Sequence, residues 1–500
     1  MADVDLAPRH LRGSRPGSRL VGSPDAVLLA FLTVAFVVLA APFMLMPVMP
    51  SGANAQRREL APAPSLVVDG RPNPAFLSDL GAYIEDHFAL KDTLVEFGAK
   101  FSERFLQTST VDNVVVGNDG WLYYTGELAD YQRSRPMSEA ALDNAAGNIA
   151  LMQEYIRSLG KDFCLVIAPN KSTVAGTHMP YYEIAGEGAS NLERLEDRLL
   201  ARGVAFIHAG GYLDGRSYFA RDTHWTDEAA LRVSCALFDA LGVSYPNFYA
   251  CDIAARRHVG DLESMLHPVH PESEVQVCHT GTTSFAYDNE ATSVEDAYIV
   301  TTSALEGRGE AALVYRDSFA NNLLPPFATT FGRAVFTKLV PYDMSPAQVM
   351  FATDVVVERA ERHLDLFATD PPTMPAPMRM VVVAPEPASG SASVTARQTE
   401  SFFVVEGVLD EAARTIGPRV FCEITRADGT VAHHECFRVS GRRGGVQDFE
   451  GDGKDTSGLQ VTGDGGFRCS IPLTEAPDVK RVRVLVGNTD LSYCVSTIDL

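Results

Sequence analysis

The chain predicts an α/β protein, with a parallel sheet flanked by helices, an N-terminal transmembrane helix ahead of it and a C-terminal all-β, sandwich-like domain behind it. Three observations carry this. Between Ser138 and Val357, helical runs repeatedly stop at a glycine and give way to a short apolar strand, the alternation that builds a parallel sheet covered on both faces. Ala26 to Met49 contains no charged residue, and about 20 apolar residues are enough to cross a bilayer. Past Thr369 the composition turns to Pro, Ala, Ser and Gly, and then to short β-branched segments bounded by turns. A chain of 500 residues is too long for one ordinary core, so two folded domains and a targeting segment are expected.

Residues 1–25 form a basic tail whose Arg9, Arg12, Arg15 and Arg19 place it in the cytoplasm. Residues 26–49 are the anchor, and the bulk of the chain then lies outside the cell membrane. Ala53-Asn54-Ala55 resembles a signal-peptidase site, but the apolar run is longer than a usual signal core, which favours an uncleaved single-pass anchor. Residues 50–74 make a polar, proline-bearing spacer. From Ala75 to Gln107 apolar residues recur at helical spacing, and the Phe88, Phe97 and Phe101 stripe fits a helix core. Asn113 to Tyr123 fits two strands around Asn118-Asp119-Gly120.

Ser138 then caps a helix to Leu159, Gly160 stops it, and Phe163–Ala168 is a strand. Leu192–Ala201 is helical, Gly203 ends it, and Val204–Ile207 is a strand. Thr226 caps a third helix that reaches Leu241 and Gly242. Leu313–Tyr315, Ala334–Leu339 and Asp354–Val357 are further strands, with helices from Phe319 and over Pro346–Phe351 between them. The α/β domain therefore occupies 75–368, a Pro-rich linker 369–395 and the sandwich-like domain 396–500. The last rests on Phe402–Val408, Arg419–Thr425, Cys436–Val439, Gly466–Ile471 and Arg481–Val486.

The formal net charge of −22 opposes nucleic acid and anionic surfaces, so no nucleic-acid partner is expected. Eight cysteines, four in each folded domain, suit disulfides in an oxidising compartment. His258, His267 and His270, with Asp261 and Glu263, match no compact ligand set, so they are structural or surface residues and no metal is expected. Asp448 to Gly453 imitates the start of a calcium loop, but Leu459 stands where a glutamate is needed, which leaves a solvated acidic turn.

Two motifs carry the candidate chemistry. Asp222-Thr223-His224-Trp225 offers a carboxylate and an imidazole two residues apart, and Arg316-Asp317-Ser318-Phe319 places a serine just after the apolar strand. A serine hydroxyl becomes a nucleophile when a base takes its proton, and the base works best when a third group fixes its tautomer. Ser318, His224 and Asp222 supply those roles, at loops beyond the carboxyl ends of strands where open sheets bind ligands. The plain alternatives are helix caps for Ser318 and Asp222 and a core role for Trp225.

These motifs, together with Val116-Gly117-Asn118-Asp119-Gly120-Trp121-Leu122-Tyr123, Ala168-Pro169-Asn170-Lys171 and Gly260-Asp261-Leu262, resemble in kind and order the AlgX/AlgJ-type and DHHW-type SGNH-hydrolase-like proteins. The resemblance runs from about Leu60 to Leu364. It implies an SGNH-like sheet and O-acetylation of an exported polysaccharide, with Ser318 as acetylated nucleophile, His224 as base and Asp222 as its orienting acid. It also implies a membrane-bound O-acyltransferase that supplies acetyl, and it requires no cofactor. Asn170, Lys171, Arg316 and Trp225 are the candidates for substrate or oxyanion contacts. Thr223 stands where DHHW-type members carry histidine, and Arg316 replaces the glycine of the usual Gly-Asp-Ser block. The acidic bulk suits a neutral or cationic glycan better than alginate. A deacetylating carbohydrate esterase shares the same triad, and a non-catalytic glycan-binding scaffold is the alternative from another class.

Overall fold

A computed structural model describes residues 24–46, 60–441, 461 and 463–500. The arginine tail, Ala53-Asn54-Ala55 and the acidic turn at 448–453 lie outside the described residues. The chain divides into two compact units, Met1–Lys100 and Phe101–Leu500.

In the first unit Pro24–Leu45 is one helix. Its 19-residue stretch Val27–Leu45 is long and apolar enough to cross a membrane. The region after Ala75 is two helices rather than one, Phe76–His87 and Lys91–Phe101. Leu90 takes φ 64°, which interrupts the helical ladder between them. Phe97 is 66% exposed, so the phenylalanine stripe marks an apolar face and not the helix core expected of it.

The second unit is built on a seven-stranded sheet. Its strands are β1 (Asp162–Ala168), β2 (Phe206–Ile207), β3 (Phe285–Tyr287), β4 (Tyr298–Ser303), β5 (Ala311–Tyr315), β6 (Arg333–Thr337) and β7 (Asp354–Ala360). They lie in the order β2-β1-β7-β5-β6-β4-β3. The first five are parallel, in register from Val355 opposite Phe163 to Ala360 opposite Ala168, while β4 and β3 close the edge antiparallel. Alternation sends Leu165, Ile167, Leu313 and Val355 into one core and Val166, Val314, Val356 and Phe336 into the other. Helices α1 (Glu139–Ser158) and α2 (Asn191–Ala201) cover the first face. Helices α3 (Asp227–Leu241) and α4 (Leu324–Thr330) cover the second. Ser138 and Thr226 cap α1 and α3 as expected, and Gly242 ends α3 at φ 70°, where a side chain would be strained.

The segment after β5 is a single 3-10 turn, Ser318–Asn321, and not the start of a helix. Residues 253–279 add a hairpin of Ile253–His258 against Glu274–His279, which no pattern in the sequence announced. Beyond β7, two four-stranded antiparallel sheets form the all-β module between Ala392 and Asp499. The Pro-rich stretch before it is no free linker: Ala376, Arg379, Val382 and Ala384 donate backbone N–H groups to Ser470, His433, Thr489 and Ser492. The module is also tied to α1. Buried Asn148 donates to the carbonyls of Phe367 and Arg438 and accepts from Arg438 N–H, and Arg379 bridges Glu154 and Glu435. All eight cysteines are free thiols, which corrects the expectation of disulfides. Cys422, Cys436 and Cys469 pack in the sandwich core as small hydrophobes.

Candidate active site

Ser318 lies three residues past Tyr315, the last residue of β5, at the carboxyl edge of the sheet. Asp317 caps the turn by accepting from Phe319 N–H at 2.9 Å, and its other oxygen accepts from Ala360 N–H at 2.8 Å, which staples the ends of β5 and β7. The cap is thus Asp317, and the Ser318 hydroxyl is left for another partner. Burial opposes the charge on Asp317, but Arg359 and Arg362 hold its carboxyl well below the usual range. Behind it Glu358 accepts Asp317 N–H, and burial together with the Asp317 charge pushes its carboxyl up.

The loop from β2 to α3 delivers the other two groups. His224 Nε2 lies 2.9 Å from Ser318 Oγ, and His224 Nδ1 lies 2.7 Å from Asp222 Oδ1. A carboxylate can only accept there, so Nδ1 carries the proton it donates, and Nε2, once it has lost its proton, can accept from the serine hydroxyl. Ser318 is 4% exposed and the His224 side chain 20%, so the serine is largely buried beside its base. Burial works against a charged His224, but the Asp222 charge and hydrogen bond outweigh it and push the imidazole up to about 9. Asp222 is itself held well below the carboxylate range, against its burial, by His224 and His258.

Three residues that sequence reasoning set aside or missed complete the site. Asp222 Oδ2 accepts from His258 Nε2 at 2.7 Å and from Asp261 N–H at 3.1 Å. The Asp261 carboxylate accepts from Thr223 N–H and Thr223 Oγ1–H, whose oxygen lies 3.2 Å from His224 Nδ1. Gly260 makes this approach possible, since a Cβ there would sit 2.0 Å from the Arg221 carbonyl oxygen. Arg362 lies over the Phe319 ring with its Nη1 buried and unpaired. The motif Gly260-Asp261-Leu262 was the visible trace of the second of these. The side chains of Asp222, His224 and Asp261 also lie close enough together to attract a cation, with ligand atoms within 4.8 Å of one another. Both Asp222 oxygens and His224 Nδ1 are already engaged by hydrogen bonds.

The four residues expected to touch substrate are instead buried and committed to the fold. Lys171 Nζ donates to the carbonyls of Leu122, Ala220 and Asp222 and lies over the Trp121 ring. Arg316 donates to Asn321 and to the carbonyls of Val294 and Asp296. Trp225 donates to the Phe319 carbonyl at 3.0 Å, which binds the histidine loop to the serine turn. Asn170 donates its N–H to Glu361 and its amide to Asp130. Asp130 lines a cavity of about 390 Å³ with Arg133, Asn191 and Arg194. The histidines weighed as ligands are parted, His258 to Asp222 and His267 to Glu103.

Residues 114–298 match the protein family described as SGNH hydrolase-like domain, acetyltransferase AlgX. The match bears out the resemblance carried by the motifs; it spans Asp222 to Trp225 and ends before Ser318. Among solved structures, PatB1 of Bacillus cereus is 14% identical with TM-score 0.38, over 51% of this chain and 98% of its own. A DHHW family protein from Eubacterium siraeum is 13% identical with TM-score 0.36, over 45% of this chain and 86% of its own. The O-acetyltransferase domain of Pseudomonas putida AlgJ is 16% identical with TM-score 0.34, over 51% of this chain and 92% of its own. No curated protein sequence matches the chain.

Proposed function

With residues 114–298 similar to the AlgX-type acetyltransferase domain, we propose that this protein is an extracytoplasmic O-acetyltransferase that acts on an exported polysaccharide through an acetyl-Ser318 intermediate. The observation that carries the proposal is the continuous relay from Ser318 Oγ to His224 Nε2, and from His224 Nδ1 to Asp222. His224 takes the hydroxyl proton as Ser318 Oγ attacks the acetyl carbonyl, and the imidazolium is balanced by Asp222. The Ser318 backbone N–H, at the start of its turn, is the proposed donor to the developing oxyanion. His224 returns its proton to the leaving group. A sugar hydroxyl then gives its proton to His224, attacks acetyl-Ser318, and leaves as the ester while the serine is regenerated.

The helix Pro24–Leu45 supports a single-pass anchor, with the α/β domain outside. A membrane-bound O-acyltransferase is the proposed acetyl supplier, and the all-β module is a candidate to hold the glycan at a fixed distance from the site. An esterase differs only in admitting water to the acyl-enzyme. The test is the intact mass of the full chain in detergent after incubation with an activated acetyl ester. One acetyl on wild type, mapped to Ser318 and absent from Ser318→Ala, is the expected result. Equal masses, with the ester uncleaved in both, would leave a non-catalytic scaffold as the better account. Addition of candidate glycans then separates transfer from hydrolysis by where the acetyl is found.

A further inference from the structure

His258 is a side chain in direct contact with the relay that the mechanism above does not use. It sits at the end of the hairpin strand Ile253–His258, which is otherwise largely exposed. Its ring stacks on Phe219 with centroids 4.2 Å apart, and Nε2 meets Asp222 Oδ2 at 2.7 Å. The Asp222 carboxylate thus stands between two imidazoles at the same distance, His224 on Oδ1 and His258 on Oδ2. Its remaining acceptor sites take the N–H groups of His224 and Asp261. A single acid that orients a base needs one such contact; here the contact is doubled from a separate structural element.

We infer that His258 is a positioning residue: a second imidazole that shares the Asp222 carboxylate with His224, fixing its plane and drawing on its charge. This rests on the proposed role of His224 as base. The two rings compete for one anion. The hydrogen bond from His258 lowers the charge that Asp222 presents to His224, so His224 gives up its proton more readily than it would beside an unshared carboxylate. The charged groups that act most on His258 are Asp222, Glu274 and Asp227, all acidic, which favour its hydrogen bond to Asp222. His224 is faced by Asp222 and Asp261, with Arg362 as the opposing cation.

Two variants separate orientation from mere packing. His258→Phe keeps a ring against Phe219 and removes the donor, and His258→Gln restores an N–H at similar reach. One readout is the rate of Ser318 acetylation by p-nitrophenyl acetate against pH. The other is the rate at which diethyl pyrocarbonate, which attacks neutral imidazole, modifies His224 at each pH, mapped by peptide mass. His258→Phe should acetylate about tenfold or more slowly, and the pH at which His224 becomes reactive should rise by about half a unit. His258→Gln should recover most of the rate and the wild-type pH. An unmoved His224 pH in His258→Phe would overturn the inference, whatever the rate did, because a packing defect lowers rate without shifting that pH. A wild type that takes no acetyl on Ser318, yet shows the His224 shift between variants, would sink the proposed function and leave the sharing of Asp222 standing.

Discussion

Replacing Asp222 by asparagine tests the relay with the least change of shape. The carboxylate accepts four N–H groups, from His224 twice, His258 and Asp261. The amide keeps one acceptor oxygen for His224 and turns an NH2 group toward the other two donors. The larger effect is on charge. Despite burial, Asp222 pushes His224 from 6.5 up to about 9. That net rise, to which Asp261 adds and which burial and Arg362 oppose, corresponds to ~3.4 kcal/mol of stabilisation of the imidazolium, with Asp222 its main source. His224 carries that proton in the transition state, so Asp222→Asn should lose about 300-fold in the rate through free base. The base must be neutral to act. Wild-type rate should therefore rise about tenfold per pH unit up to about 9 and then level, whereas the variant, without that carboxylate, should level at a clearly lower pH. The two curves should differ by about 300-fold above pH 9 and draw within about tenfold near neutral pH. Hydrolysis of p-nitrophenyl acetate, with Ser318→Ala as the blank at each pH, reads this directly. A variant-to-wild-type ratio that stays constant with pH would refute the assignment of His224 as a base poised by Asp222.

Two further changes probe how the site and its support are held. Gly260→Ala places a methyl 2.0 Å from the Arg221 carbonyl oxygen, so the loop must retreat and take Asp261 with it. Overpacking of this kind costs about 1–3 kcal/mol, and thermal melting should drop by several degrees together with the ester rate; an unchanged melt would contradict it. Asn148→Ala strips two carbonyls and one N–H at the junction of α1 with the all-β module, in a side chain only 1% exposed. Leaving them unpaired should cost about 3 kcal/mol, seen as a lower urea midpoint. An equal midpoint would mean that the junction does not contribute to stability.

The parts legible in sequence are those encoded within a few residues. Ser138 and Thr226 cap because their side chains reach an N–H three residues on, and Gly160, Gly203 and Gly242 stop helices because their positive φ suits no other residue well. The serine after β5 was visible because an apolar strand ending in a polar turn is itself a local pattern. The antiparallel edge of β3 and β4 was not, since short strands paired across 11 or more residues carry no period of their own. Cysteine parity misled because a buried thiol serves as an ordinary small core group, as Cys422 does. The four substrate candidates are all buried in the fold, for a related reason. Polar residues beside a catalytic motif are as often the struts that hold it: Lys171 ties down the Asp222 carbonyl, and Trp225 ties the serine turn to the histidine loop.

What decides the chemistry of the site is the convergence of separate loops, and this is where sequence spacing says least. Asp222 is met by a histidine 36 residues later and by a backbone N–H 39 residues later, both on a segment with no periodic signal. Gly260 shows why. As a letter in a motif it is only a glycine before an acid. In the fold it is the point at which one loop lies so close to Arg221 that no side chain fits, and that closeness brings Asp261 N–H to Asp222. The glycine, the second histidine and the relay are therefore one constraint. A change that moves the hairpin should alter the basicity of His224 even where it leaves Ser318, His224 and Asp222 untouched.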